Sequence, residues 1–272
     1  MVLLPEQGAY MGFTIGLAQT CHPADGNVVA LVDENAAQAK ERGVDLLVFP
    51  ESLMSRYEAE RADFLAESQP IGGLFTQSID AIAARYRLWI VYTMNEANPD
   101  GLPFNTAIIT DAQGQRRGFY RKVHLFDSAT TQESERMAAS DMLFEPIDTP
   151  FGKIGLGICY DLRFPELALA AAVKGCEIML YPAAWVDGQG KANQWKTLLA
   201  ARAIENGMFT VGVCRADKGY VGCSRVVAPD GEVLVQADSA EQLIVCDIDT
   251  QESAQMRKAI PSLKHRRPEI YT

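Results

Sequence analysis

The sequence predicts an α/β protein in which two β-sheets pack face to face beneath outer layers of helix, all in one domain. Three observations carry this. Short apolar runs of strand type alternate with segments whose apolar residues recur every three or four positions. The order strand, helix, strand, helix, strand, hairpin in the first half returns in similar form in the second. No linker, low-complexity segment or charge block separates the halves, so two packed sheets with helices outside both are the simplest way to bury them. With 272 residues, 48% of them hydrophobic, the chain has side chains enough for a large core.

The elements follow in order. Residues 13–19 read as a strand. Residues 27–42 read as a helix, with apolar residues at helical spacing and Gly43 just past the end. Residues 45–50 form a near-continuous apolar run of the kind buried on both faces. Residues 73–86 are helical and 88–94 a strand. Residues 104–110 and 115–120 read as a hairpin around Asp111-Ala112-Gln113-Gly114. Residues 154–157 form a strand. Residues 165–174 form a helix opened by Pro165 and ended by Gly175. A strand at 178–181, a helix at 192–206 ended by Gly207, and a strand at 209–214 come next. Residues 222–227, 231–236 and 243–247 make a β-rich close. The expected boundaries are an N-terminal extension at 1–10, the domain at 11–258 and a tail at 259–272, with Met11 an alternative start.

Composition excludes several functions. Lys and Arg number 25 against 35 Asp and Glu, a net charge of −10 that argues against nucleic acid or an anionic membrane as partner. The cluster Lys264-His265-Arg266-Arg267 in the tail reads, against that balance, as a solvated or partner-contacting arm. No apolar run reaches the roughly 18 residues of a membrane helix, and residues 1–10 lack the basic start of a signal peptide. The six cysteines are scattered without a C-x-x-C pair, which suggests reduced thiols and a cytoplasmic location. Cys21-His22 lacks partners at metal-ligand spacing, so no metal site is expected.

Three strand ends carry chemistry. In the run Lys153 to Glu166, a short Gly-spaced strand stops at Cys159, and a turn leads to the helix opened by Pro165. A nucleophile on a strand-to-helix turn is aimed this way. Glu51 follows directly on the apolar run Leu47-Val48-Phe49-Pro50. Lys122 stands just past the hairpin, in Tyr120-Arg121-Lys122-Val123-His124. Each alone has a bland reading: a buried cysteine, a surface glutamate, a solvated lysine. Together they make sense, since a carboxylate takes the thiol proton and an ammonium stabilises the thiolate and the oxyanion of a tetrahedral intermediate. The Tyr160 N–H would supply a second oxyanion donor. A Cys–His dyad through His124 is the rival, but no cysteine-protease signature surrounds Cys159, and His124 reads better as an orienting residue behind Lys122.

These motifs resemble those of the nitrilase superfamily of carbon–nitrogen hydrolases, and the resemblance runs nearly end to end. It rests on Phe49-Pro50-Glu51, the segment from Tyr120 to Phe126, and Cys159-Tyr160-Asp161-Leu162-Arg163-Phe164-Pro165-Glu166. Phe104-Asn105-Thr106-Ala107, residues 195–206 and the tail Arg266 to Tyr271 extend it. It implies a four-layer α-β-β-α sandwich that dimerises, with contacts from the tail. It implies Glu51 as general base, Lys122 as oxyanion stabiliser and Cys159 as nucleophile, with no metal or organic cofactor. A second glutamate after the lysine maps to Glu133, in a segment similar to ω-amidase-type members, with Glu135 as the fallback.

The run from Cys159 to Glu166 is similar to ω-amidases and to amidases of deaminated glutathione; Ala184-Trp185 and residues 195–206 look most like the ω-amidase branch. The expected activity is therefore cysteine-dependent release of ammonia from a small carboxylate-bearing amide, through an acyl-thioester. A deaminated glutathione amidase and an N-carbamoyl amide hydrolase are the alternatives, and an inactive scaffold the alternative outside enzymes. Tyr160, Arg163, Trp185 and Lys191 are the expected substrate contacts, Arg163 and Lys191 being the candidates to pair with a substrate carboxylate. The segment Val186 to Gln194 lacks the Pro-containing, His-Trp sequences common in both branches, which leaves the substrate open.

Overall fold

Alternation along one short strand accounts for the layers. In the computed structural model, which describes residues 12–55, 61–128 and 131–270, Leu46–Val48 forms the second strand, β2. Leu46 and Val48 face the core between the sheets, whereas Leu47 and Phe49 face a second core under helices. A strand covered on both faces needs this unbroken apolar run. The extension at 1–10 and Met11 lie outside the described residues.

The first helix, α1 (Val28–Glu41), is opened by Asn27, whose side chain accepts from the Ala30 N–H. It buries Val28, Val32, Ala36 and Ala39. With α3 (Leu74–Tyr86) it covers the outer face of the first sheet. That sheet has the order β12-β1-β2-β3-β4-β5. Here β1 is Phe13–Gln19, β3 Trp89–Glu96, β4 Phe104–Thr110, β5 Arg116–Arg121 and β12 Gln242–Ile248. β1, β2 and β3 are parallel and the other pairings antiparallel.

The second sheet runs β11-β10-β9-β8-β7-β6. Its strands are β6 (Ile147–Thr149), β7 (Gly152–Leu156), β8 (Ile178–Ala183), β9 (Phe209–Cys214), β10 (Arg225–Val227) and β11 (Val233–Gln236). β7, β8 and β9 are parallel, flanked by antiparallel pairings on both sides. The helices α4 (Pro165–Val173) and α5 (Lys191–Asn206) cover its outer face. Gly155 on β7 and Gly157 just past its end make room for side chains of β8: a Cβ at Gly155 would stand 2.7 Å from the Met179 sulfur, and one at Gly157 2.8 Å from the Tyr181 ring.

The fold is the expected α-β-β-α sandwich, with three differences from the sequence reading. The last strand of the β-rich close, β12, leaves its neighbours and pairs antiparallel with β1, closing the first sheet. The helices α2 (Arg61–Glu67) and α6 (Gln251–Ala259) were not anticipated; both are short, and apart from Ser253 α6 buries little. The three-residue pairing of β6 with β7 is too short to leave a period. Among the described residues no helix is long and apolar enough to cross a membrane. In the tail, Leu263 packs against the core, whereas Ile260 and Ile270 are exposed; Tyr271 lies outside the described residues.

Candidate active site

Glu51 leaves the end of β2 in a loop held from three directions. The Thr93 hydroxyl donates to the Pro50 carbonyl at 3.1 Å and accepts from the Leu53 N–H at 3.2 Å. Arg215, at the end of β9, donates through Nη1 to the Ser52 carbonyl at 2.7 Å. Ser52 has φ +55°, a left-handed conformation that only such surroundings sustain in a non-glycine residue.

Lys122 follows β5 and extends the ladder by one bond, its N–H donating to the Asn105 carbonyl at 2.8 Å. Its side chain crosses to Glu51. Nζ donates to Glu51 Oε1 at 2.8 Å, and to Glu133 at 3.1 Å (Oε1) and 2.8 Å (Oε2). All three are buried, at 1%, 1% and 2% exposure for Glu51, Lys122 and Glu133. Glu133 enters from a short 3-10 turn, Glu133–Glu135, and also accepts from the Phe126 N–H at 2.7 Å. Glu135 is exposed, so the residue brought inside is Glu133. Burial works against the Lys122 charge, but the two carboxylates outweigh it and hold the ammonium well above the ordinary lysine value.

Cys159 arrives from the other sheet. It opens a 3-10 turn, Cys159–Arg163, directly before α4, and has φ +46°. Burial and Glu51 push its thiol well above the ordinary value, more than Lys122 lowers it. Burial and Glu51 therefore favour the thiol over the thiolate. The sequence reading gave the lysine the task of stabilising a thiolate. In the folded protein Lys122 is shared between two carboxylates, and its pull on the thiol is outweighed by burial and Glu51.

Two groups in this cluster had no role in the sequence reading. Asn105, on β4, donates through Nδ2 to Glu51 Oε1 at 2.8 Å and Glu133 Oε1 at 3.3 Å. The signal for it was a polar residue inside an otherwise buried strand. The Ala184 N–H, just past β8, donates to Glu51 Oε2 at 2.8 Å. A backbone donor leaves no mark in a sequence. His124 keeps the orienting place assigned to it: Nδ1 is 2.8 Å from Asp161 Oδ1, and the ring stacks on Phe164 at 3.6 Å.

All four predicted substrate contacts meet at Cys159. A cavity of about 250 Å³ is lined by Phe126, Cys159, Tyr160, Arg163, Ala184, Trp185, Val186 and Lys191. The Arg163 guanidinium lies 4.6 Å from the Trp185 ring centre and donates to Gln194 Oε1 at 2.8 Å. Lys191 Nζ stands 5.4 Å from the Phe126 ring centre. Partial burial and Arg163 pull the Lys191 pKa down. No acidic residue lines the cavity among the described residues.

A sandwich that holds a buried thiol against a carboxylate, with an ammonium beside them and a pocket in front, is built to attack an acyl carbon. The family profile described as carbon-nitrogen hydrolase matches residues 14–258, and the chain belongs to that family, within the nitrilase superfamily. It is similar to the omega-amidase NIT2 of Mus musculus, 36% identical over 86% of this chain and 87% of that one. It is also similar to the deaminated glutathione amidase of Escherichia coli O157:H7, 34% identical over 85% and 88%. Among solved structures it resembles Nit3 of Saccharomyces cerevisiae, a member of branch 10 of the nitrilase superfamily, with a TM-score of 0.81 and 29% identity over 92% and 94%. The protein is an amidase, a hydrolase of carbon–nitrogen bonds other than peptide bonds, and the scaffold alternative is set aside.

Proposed function

We propose that the enzyme hydrolyses the terminal amide of a small acid that carries a carboxylate and no amino group, the keto-acid amides 2-oxoglutaramate and 2-oxosuccinamate being the type. The observation that carries this is the charge of the pocket: Arg163 and Lys191 line it, with no acid beside them. A carboxylate is attracted there. The ammonium of glutamine or asparagine is repelled, because like charges brought together in a partly dry site cost more than in water. Deaminated glutathione, the substrate in the name of the Escherichia coli relative, also carries carboxylates and no free α-amino group and is the second reading.

In this reading the Cys159 thiol gives its proton to Glu51 as sulfur attacks the amide carbonyl. The developing oxyanion is held by the Lys122 ammonium and the Tyr160 N–H, which as the second residue of its turn has no partner within that turn. The tetrahedral intermediate collapses, Glu51 returns the proton to nitrogen, and ammonia leaves. Water, deprotonated by Glu51, then cleaves the thioester and releases the acid. Glu133 and Asn105 keep Lys122 and Glu51 in place through both half-reactions. The five bonds on Glu51 and Lys122 support these roles.

Ammonia release from a panel tests the proposal: the two keto-acid amides, glutamine, asparagine, deaminated glutathione, N-carbamoyl amines and aliphatic amides, with Cys159→Ala as control. Turnover of the keto-acid amides far above that of glutamine and asparagine supports it; equal turnover overturns the charge argument. Carbon dioxide alongside ammonia would identify a carbamoyl substrate. We further infer a cytoplasmic enzyme that works as a dimer, with the domain at 11–258 and the tail at 259–272 in the dimer contact. Six free cysteines and the exposed Ile204 and Ile260 support this. Sedimentation of a chain ending at Ala259 tests the tail, and an unchanged dimer rejects its role.

A further inference from the structure

One fully buried carboxylate stands outside the roles assigned so far. Asp161, at 0% exposure, lies two residues past Cys159. Its Oδ2 accepts from the Ile158 N–H at 2.8 Å and the Tyr120 hydroxyl at 2.9 Å. Its Oδ1 takes the His124 N–H at 3.1 Å and His124 Nδ1 at 2.8 Å. Ile158 is the residue before Cys159; Tyr120 and His124 stand two residues before and two after Lys122. One side chain thus ties together the segments that carry the thiol and the lysine, which come from different sheets.

The elbow needs such a tie. A non-glycine residue at φ +46° is strained and persists only where its surroundings over-determine it. The bond from the Ile158 N–H to Asp161 closes a ring around Cys159 and Tyr160. The stacking of His124 on Phe164 clamps the far end of the turn. A carboxylate suits this place because it accepts on both oxygens, whereas an amide would turn an N–H₂ toward two of the donors. Burial and Asp161 push the Tyr120 phenol far above its ordinary value, so it remains a donor.

We propose that Asp161 is a positioning residue that sets the register of the Lys122 ammonium against the Cys159 sulfur. This rests on the reading of Glu51, Lys122 and Cys159 as the reacting groups. Ile158, Tyr120 and His124, its partners, do not line the substrate cavity. Loss of Asp161 therefore slows the chemical step far more than it weakens substrate binding.

The test compares Tyr120→Phe, Asp161→Asn and the double variant with wild type. It measures kcat and KM per iodoacetamide-labelled Cys159, the rate of that labelling at fixed pH, and the melting temperature. Misplacement of reacting groups by about 1 Å costs on the order of 100-fold. We expect kcat to fall about tenfold in Tyr120→Phe and about 100-fold in Asp161→Asn, with KM within about threefold. Because Tyr120 acts through Asp161, the double variant should be no worse than Asp161→Asn, and labelling rates should follow the same order. Lower melting temperatures with kcat per labelled site unchanged would overturn the proposal, as would losses that multiply in the double variant. Should Asp161→Asn fail to fold, Tyr120→Phe decides: a wild-type kcat rejects the role. If wild type releases ammonia from no amide, the amidase substrate reading fails on its own, and the labelling rates still decide the role of Asp161.

Discussion

The two sheets share one plan and carry different chemistry. Taken in space, β12-β1-β2-β3-β4-β5 and β6-β7-β8-β9-β10-β11 have the same sequence of parallel and antiparallel pairings. Yet the end of β2 delivers a carboxylate, Glu51, and its counterpart β8 only the Ala184 N–H that binds that carboxylate. The end of β7 leads to Cys159 on a left-handed elbow. Its counterpart β1 leads to Cys21, whose thiol is pushed up to about 11 by burial, Asp217 and Glu241, with no lysine beside it. The first sheet holds all the charge of the reacting cluster, and the second holds the thiol and most of the pocket wall. Repetition gave the frame, and the loops after equivalent strands gave the division of labour. In the proposed mechanism neither sheet acts alone, because the proton crosses the plane between them.

Variants at the two strand ends break this comparison most sharply. Cys159→Ala removes the nucleophile from the second sheet and should lower ammonia release on the order of 10⁴-fold or more. Cys176→Ala, at a buried thiol of the same sheet, should leave turnover within about twofold. Equal losses would mean that burial, not position, makes the thiol matter.

Lys122→Met removes the charge from the first sheet and leaves Glu51 and Glu133 facing each other in the dry interior. Breaking a buried ion pair on one side typically costs about 3–5 kcal/mol, so the variant should melt well below wild type and lose about 10³-fold in kcat. Calorimetry and ammonia release read the two effects separately, and an intact melting temperature would contradict the buried bonds.

The state of the thiol sharpens the contrast between cysteines. Because the Cys159 pKa is raised well above 9.0, its thiolate fraction keeps growing with pH. Labelling by iodoacetamide, followed by mass spectrometry, should therefore climb past pH 9 with no plateau. A plateau below pH 7 would reveal a preformed thiolate. Cys176 and Cys214, fully buried and away from the cavity that Cys159 lines, should lag behind Cys159 throughout.

The smallest effect belongs to the pocket. Arg163→Ala or Lys191→Ala should raise KM for a keto-acid amide about tenfold, the value of one charged hydrogen bond, with kcat within about threefold. The same variants should narrow the gap between keto-acid amides and glutamine. An unchanged preference would remove these cations from recognition.

Much of this was legible in the chain. β1 and β9 have the bounds that their apolar runs predict, and the ends of α1 and α5 fall at Gly43 and Gly207 within a residue or two. These signals are local: side-chain period, cap chemistry and positive φ act within a few residues. Glu51, Lys122 and Cys159 stood out because ionisable groups at the ends of apolar strands are rare enough to notice, whereas Glu133 came only from the family resemblance. Asn105 passed as one more strand residue, and Asp161 as part of a motif without a task. Nothing near either in sequence shows that Glu51 is 54 residues from the first and Tyr120 41 from the second.

The sequence by itself determined the alternation of strands and helices and the buried faces, and it singled out the groups proposed to react, since each signal depends on neighbours along the chain. Only the tertiary structure decided that β12 returns to β1, that the Lys122 ammonium is shared between two carboxylates, and that burial and Glu51 favour the thiol of Cys159 over its thiolate. The physical reason is that charge and hydrogen bonding in a dry interior depend on what lies within about 3 Å, and those neighbours come from strands far apart in the chain.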